Sequence, residues 1–403
     1  MLARPHAVVW TSRRCEPIIP LIDDAPTTAT TVTITTIRPM IPIPRPADRP
    51  EQIAFSPGRV NLIGDHTDYN GGLALPMAIE LGTRATFRAD RTGSLLITSD
   101  AEPEPAVIDL AELRAGIRYP AQLAPFWARY VAGVATAAGV GELVQGGTGV
   151  VTSQLPRGAG LSSSASLEVA LALAFGGDAL VETRSRMQIA RACQDAEHRA
   201  TGVKSGLMDQ IAILFGAKAH ATLIDFAKRP DPLVQQVSIP DELEVLVVAS
   251  ATSRRLAGSA YARRRAECIQ ASEIIGPLGS ASVDSLAAIE DPVLAARARH
   301  VVTECARVRQ FVEALESADF AAAGALMTAS HLSLSRDFEV STPELDSLVE
   351  DLVGDRHIFG ARLTGAGFGG CAVALCRAGT VHPEERRRPS WVLRPSEGAR
   401  LTP

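Results

Sequence analysis

The chain has 403 residues, 46% of them apolar, with a net charge of −5 and a pI near 6.0. That length supports one large or two medium domains with real cores, and the acidic balance argues against the basic face of a nucleic-acid binder. The six cysteines (Cys15, Cys193, Cys268, Cys305, Cys371 and Cys376) are scattered and form no CxxC pair, which favours a reducing, cytoplasmic setting over a disulfide framework. Cys371 and Cys376 sit at odd spacing in a strand-like run, so they face opposite sides and do not share a metal. No apolar run approaches the roughly 18–20 residues of a membrane span, and Ala7-Val8-Val9-Trp10 is too short for a signal peptide.

Residues 1–48 read as a disordered tail, ahead of a first lobe over 49–218 and a second over 219–403. Residues 27–37 are Thr-rich and 39–50 hold five prolines, which fix φ and lack a donor; Met40 is an alternative start. From Ala54 the texture turns globular. Residues 55–63 and 73–87 read as strands. Between them Asp65, His66, Thr67, Asp68 and Tyr69 crowd five polar-tipped side chains behind an apolar run. A core strand tolerates that only if the groups bind something, and carboxylates with His and Thr suit polyol hydroxyls. Arg59, just upstream, is placed to face a phosphate. The plainer alternative is a polar turn with Asn70-Gly71 as its hairpin signal.

After a short β-rich run at 149–153 comes Leu155-Pro-Arg-Gly-Ala-Gly-Leu-Ser-Ser-Ser-Ala-Ser166. A glycine turn feeds a helix over 163–175, whose free N–H groups and dipole suit phosphate, and the serines add hydroxyls. The lysine of a P-loop is missing. Simple capping by Ser162 or Ser163 is the alternative, but capping needs one serine, not three. Residues 184–200 form an amphipathic helix that stops at Gly202, and 207–215 a shorter one. Glu197 and Asp209 lie twelve residues apart on these two helices. Two carboxylates so placed either hold Mg²⁺ and orient a hydroxyl, or serve as a salt-bridge partner and a helix N-terminal charge.

Residues 219–226 and 243–250 read as strands, and 259–275, 293–316 and 320–334 as helices. Near the end, Gly365-x-Gly367-x-x-Gly370 matches the dinucleotide fingerprint formally, but that fingerprint must open a helix. Here residues 371–376 read as a strand, as do 362–364, so the glycines make a turn that lets backbone approach a ligand or another loop. Residues 391–395 read as the final strand. Strands and helices without a βαβ rhythm, and without internal repeats, define an α+β chain in two lobes.

The three motifs in this order resemble the GHMP kinase superfamily, and Arg59-Val-Asn-Leu-Ile-Gly-Asp-His-Thr-Asp-Tyr69 resembles the signature of its galactokinase family. Ser259-Ala-Tyr-Ala-Arg-Arg264 and the run from Ser330 to Asp346 are similar to further pieces of that family, so the likeness spans Ala54 to the C-terminus. The resemblance implies an N-terminal ribosomal-S5-domain-2-like lobe, a C-terminal ferredoxin-like lobe and a site in the cleft. It implies transfer of the γ-phosphate of Mg-ATP to the C1 hydroxyl of galactose or a close analogue by a monomer without nucleic-acid or membrane partners. Asp209 would be the base or orient the hydroxyl, with Arg59 stabilising its charge and the transition state. Asp65, His66, Thr67, Asp68, Tyr261 and the Gly206 backbone would bind the sugar. Gly158, Ala159, Gly160, Leu161, Ser162, Ser163 and Ser164 would hold the phosphates, with Ser99 near the nucleotide, and Ser164 and Glu197 would coordinate Mg²⁺.

Three departures from the family pattern stand out. Asp65 replaces a usual Glu, Lys204-Ser205 replaces a smaller or Cys-containing pair, and the segment between Cys376 and Trp391 is short, as if a helix and strand were missing. A kinase for N-acetylgalactosamine or arabinose, and a non-catalytic sugar sensor, are the alternatives. The intact serine loop and the presence of Arg59 and Asp209 weigh against the sensor.

Overall fold

A computed structural model describes residues 51–156, 158–228, 230–250 and 257–402. The tail read over 1–48, the alternative start at Met40, Cys15 and Arg157 lie outside them.

In chain order the elements are β1 (Gln52–Ile63), β2 (Leu73–Ala89), β3 (Ser94–Ser99), β4 (Glu102–Asp109), α1 (Leu110–Arg114), α2 (Ala128–Ala135), β5 (Gly147–Ser153), α3 (Ser163–Thr183), α4 (Arg186–Thr201) and α5 (Met208–Phe215). There follow β6 (His220–Asp225), β7 (Leu233–Ser238), β8 (Leu243–Ala249), α6 (Ala257–Ile275), α7 (Pro292–Glu316), α8 (Phe320–Arg336), α9 (Pro343–Val353), β9 (Ile358–Thr364), β10 (Cys371–Arg377), β11 (Ser390–Leu393) and β12 (Arg400–Thr402). The chain is α+β, as expected, with two sheets.

The first sheet runs β12-β1-β2-β5-β3-β4, and β6, paired with β7, adds to β2. One face buries Phe87, Leu95, Ile97, Ile108 and Val151 against Trp127 and Val131 around α2 and against Val169, Leu173 and Phe175 of α3. At 21 residues, α3 passes for a membrane span by length and apolar composition, which corrects the expectation that no segment approaches one. Yet 72% of its apolar window is buried, as in a helix that fills a core.

The second sheet runs β11-β8-β10-β9, antiparallel throughout. Period-two alternation sends Val245, Val247, Cys371, Val373 and Leu375 into a cluster shared with Val60, Leu62, Met77 and Phe311. Leu246, Val248, Ala372, Ala374 and Cys376 face Leu348, Val349 and Leu352 of α9 instead. The two cysteines therefore point to opposite faces, and the five described cysteines are free thiols.

Two topological features depart from the expectations. The strand at 390–393 is not the last: the chain returns to the first sheet, with Pro395 bridging Ile79 and β12 pairing with β1 at Ile53 and Phe55. The first sheet also takes β6 and β7 from beyond residue 218. Between β10 and β11 the only regular piece among the described residues is a 3₁₀ turn at Pro383–Glu385, in keeping with the short segment noted there.

Candidate active site

The β1–β2 connection is a compact polar turn. Its residues Gly64 and Gly71 have positive φ, and so does His66 at 62°, a conformation uncommon without glycine. The Thr67 hydroxyl faces the carbonyls of Gly64 at 2.8 Å and Leu73 at 2.7 Å, and the Asn70 amide donates to the carbonyl of His66 at 2.7 Å. Thr67 is fully buried in these contacts and does not line the cavity. Its hydroxyl thus staples the turn.

The turn presents the other expected residues to a cavity of about 280 Å³, lined by Arg59, Asp65, His66, Asp68, Tyr69, Glu197, Gly206, Asp209, Tyr261 and the Gly365-Ala366 turn, among others. His66 Nδ1 lies 2.8 Å from the Tyr69 hydroxyl, and its buried Nε2 has no partner. Burial first, then the neighbouring His300, pulls the His66 pKa down to about 3, so the ring is neutral. Its ring packs on Phe338 and near Tyr261 and Tyr69, giving the cavity an aromatic wall. Burial also pushes the Asp68 carboxyl up, to about 6. A Cβ on Gly206 would run into that carboxylate, so a larger residue there would push the Asp68 side chain aside.

Arg59 on β1 meets Asp209 at the start of α5 in a forked pair. Nε donates to Oδ1 at 2.8 Å, Nη2 donates to Oδ2 at 2.7 Å, and Nη1 donates to the Gly160 carbonyl at 2.6 Å. The Ser162 hydroxyl donates to Asp209 Oδ2 as well. Ser162 stands at the N-cap position of α3 with φ 56° but makes no side-chain cap, which decides against simple capping. Asp209 is therefore not merely a helix-end charge: three of its roughly four acceptor positions are taken by the protein, leaving one toward the cavity.

The other serines divide between two cavities. A second cavity, about 340 Å³, is lined by Thr83, Ser99, Phe126, Trp127, Tyr130, Ser153, Leu155, Ser163 and Ser164, with other residues. The Ser164 hydroxyl donates to Glu197 Oε1 at 3.0 Å. Ser164 lines the second cavity and Glu197 the first, so this contact marks their junction. Gly158 and Gly160 turn the loop with φ of 71° and 75°, while Ala159 and Leu161 bury their side chains beside Val60 and Leu155. Any phosphate contact from 158–161 is thus left to backbone N–H groups.

Several residues of the site escaped the sequence. Ser205, one of the departures noted above, donates to Glu197 Oε2 at 2.7 Å, and Gln210 Nε2 lies 3.3 Å from the same oxygen. Gln210 also reaches Glu168 at 3.4 Å, whose carboxyl is pushed well above the usual range by burial and then by Glu197. Arg264 on α6 donates to the Phe338 carbonyl at 2.6 Å and to Glu267 Oε2 at 3.0 Å, while Arg297 donates to the same Glu267 oxygen at 2.8 Å. This network fixes the helix that carries Tyr261.

A cavity edged by carboxylates, His66 and two tyrosines, an aromatic-lined neighbour and the serine loop at a helix N-terminus are the parts that an ATP-dependent kinase of the GHMP type needs. Three descriptions match in chain order: the galactokinase galactose-binding signature over residues 46–89, the GHMP kinase N-terminal domain over 129–217 and the GHMP kinase C-terminal domain over 311–387. A galactokinase of Homo sapiens is 43% identical over 336 residues, covering 82% of this chain and 84% of its own. The solved structure of Lactococcus lactis galactokinase complexed with galactose superposes with a TM-score of 0.78 at 30% identity, covering 87% of this chain and 95% of that one. Methanococcus jannaschii mevalonate kinase, at 21% identity and a TM-score of 0.62, shares the fold. The chain belongs to the galactokinase family of the GHMP kinases.

Proposed function

We infer that this chain transfers the γ-phosphate of ATP to the C1 hydroxyl of galactose, giving galactose 1-phosphate and ADP. The observation that carries the reading is the Arg59–Asp209 fork in the wall of the first cavity, tied to the serine loop through the Gly160 carbonyl and the Ser162 hydroxyl. The sugar occupies the first cavity, where His66 Nε2, Asp68, Asp65, Tyr261 and the Gly206 backbone face it. The nucleotide occupies the second, with Ser99 on its wall, and its phosphates lie over residues 158–164 at the N-terminus of α3.

Asp209 accepts the C1 hydroxyl on its remaining acceptor position and takes or orients the proton. Arg59 keeps the Asp209 charge paired and, beside the serine loop, balances charge on the moving phosphoryl group. The Ser164 hydroxyl and the Glu197 carboxylate are oxygen donors, the type Mg²⁺ prefers. Among the described residues no cluster of three or more His, Cys, Asp or Glu is present, so the remaining ligands would come from the nucleotide and water, the usual habit of Mg²⁺ in kinases. When bound, the ion supplies charge neutralisation to the phosphates. The five buried free thiols among the described residues accord with a cytoplasmic setting.

A panel of sugars with Mg-ATP, followed by ADP release, tests the reading. Galactose should give the highest kcat/KM, whereas a preference for N-acetylgalactosamine or arabinose would reassign the substrate, and sugar-independent or absent ADP release would refute the kinase. A pH profile adds a second check. Ionised Asp68 accepts sugar hydroxyls more strongly and on both oxygens, whereas protonation turns one oxygen into a donor, so kcat/KM for galactose should fall on the acid side of about pH 6. Asp68→Asn should lower kcat/KM and abolish that limb; a limb unchanged in the variant would assign it to another group.

A further inference from the structure

Asp65 and its surroundings hold a feature that the sugar contacts alone do not use. Arg362, in the middle of β9, is fully buried and does not line the sugar cavity. Its Nη2 donates to Asp65 Oδ2, and its Nη1 lies 3.0 Å from the Leu62 carbonyl and 3.3 Å from that of Asn61. The Gly365 N–H donates to Asp65 Oδ1 at 3.2 Å, and Thr364 Oγ1 donates to the Asn61 carbonyl at 3.0 Å. His300 Nε2 lies 3.1 Å from the Asp65 carbonyl, and the Gly64 N–H donates to Glu304 at 3.0 Å. Both carboxylate oxygens of a cavity-lining residue in the β1–β2 turn are thus gripped by one side chain of β9 and by the backbone N–H of the residue that follows β9.

We propose that Arg362 is a positioning residue for sugar recognition: from outside the cavity it aims the Asp65 carboxylate at the sugar, tying the sugar turn to the second sheet. The proposal rests on the reading that Asp65 binds the sugar. An unpaired carboxylate this deeply buried would rotate toward solvent or take up a proton, and in either case the acceptor presented to the sugar is lost. The guanidinium holds Asp65 through Nη2 while Nη1 is fixed on the Leu62 and Asn61 carbonyls, a spread of donors that an ammonium cannot reproduce with the same geometry.

The two roles open to a buried arginine, holding the fold and aiming Asp65, separate in a double-mutant cycle. Arg362→Gln leaves Asp65 as a lone buried charge and should lower Tm. Asp65→Asn combined with Arg362→Gln leaves no lone charge, so Tm should recover toward that of the parent. If Arg362 aims Asp65, the galactose KM should rise about tenfold or more in each single variant. It should stay as high, without multiplying, in the double variant, while the ATP KM changes less than twofold throughout. Should Arg362→Gln fail to fold, Arg362→Lys and the double variant carry the same comparison. A galactose KM that recovers together with Tm in the double variant, or that is unchanged in the Arg362 variants, would reduce Arg362 to a structural role and overturn the proposal. An unchanged galactose KM in Asp65→Asn, in an enzyme still active on galactose, would instead remove Asp65 from the sugar site, and the proposal with it.

Discussion

Replacing Asp209 by Asn is expected to lower kcat by about 10²–10⁴-fold, the usual contribution of a general base, while galactose and ATP still bind. Phosphoryl transfer runs through a loose transition state in which the protein mainly positions groups and balances charge. Asn keeps the size of Asp but cannot take the proton of the C1 hydroxyl, and it leaves Arg59 opposite a neutral amide. Because Arg59 touches Asp209 through two N–H groups, the residues act as a unit. Arg59→Ala should therefore lower kcat too, and the double variant should lose much less than the product of the two effects. Steady-state kinetics with calorimetric titration of both substrates separates the outcomes. A near-normal kcat in Asp209→Asn at saturating substrates would mean that the proton leaves by another route.

The second large effect is expected at the junction of the cavities. Glu197→Gln keeps the size of the side chain and removes the charge that the Ser164, Ser205 and Gln210 contacts hold in place. The Mg²⁺ concentration needed for half-maximal activity should rise by at least the roughly 10–100-fold seen when even the supporting partner of a metal ligand is lost. Ser164→Ala should shift it the same way by less, since a neutral hydroxyl contributes less to a hard cation than a carboxylate. Mn²⁺ binding to the enzyme with a non-hydrolysable ATP analogue, followed by electron paramagnetic resonance, reads the site without turnover. Normal Mn²⁺ affinity in both variants would remove them from the metal site.

Local chemistry made much of the fold and site legible. The strand-like run of residues 73–87 and the Gly202 stop of α4 are short-range signals that the structure reproduces within about two residues. The Asp65–Tyr69 cluster was visible because polar groups at the end of a buried strand demand a reason. Thr67 is ambiguous, because a hydroxyl that staples a turn and one that faces a sugar are the same residue in sequence. Long-range pairings left no such mark. β12 is three residues that complete a sheet begun 349 positions earlier, with Thr402 lying opposite Ile53. β4 carries Pro103 and Pro105, a strand-breaking pattern tolerated because β4 is an edge. Arg362 interrupts an apolar strand without a local cue, since Asp65, the partner that explains it, lies 297 residues away.

The central claim is transfer of the γ-phosphate to the anomeric hydroxyl of galactose, and the product itself tests it most directly. Galactose labelled with ¹³C at C1 should be incubated with the enzyme and Mg-ATP and followed by ³¹P and ¹³C nuclear magnetic resonance. The account predicts one new phosphate ester, with phosphorus coupling to the labelled C1 carbon and growing in step with ADP. A phosphate on any other carbon, or ATP hydrolysis to inorganic phosphate with galactose unchanged, would contradict it.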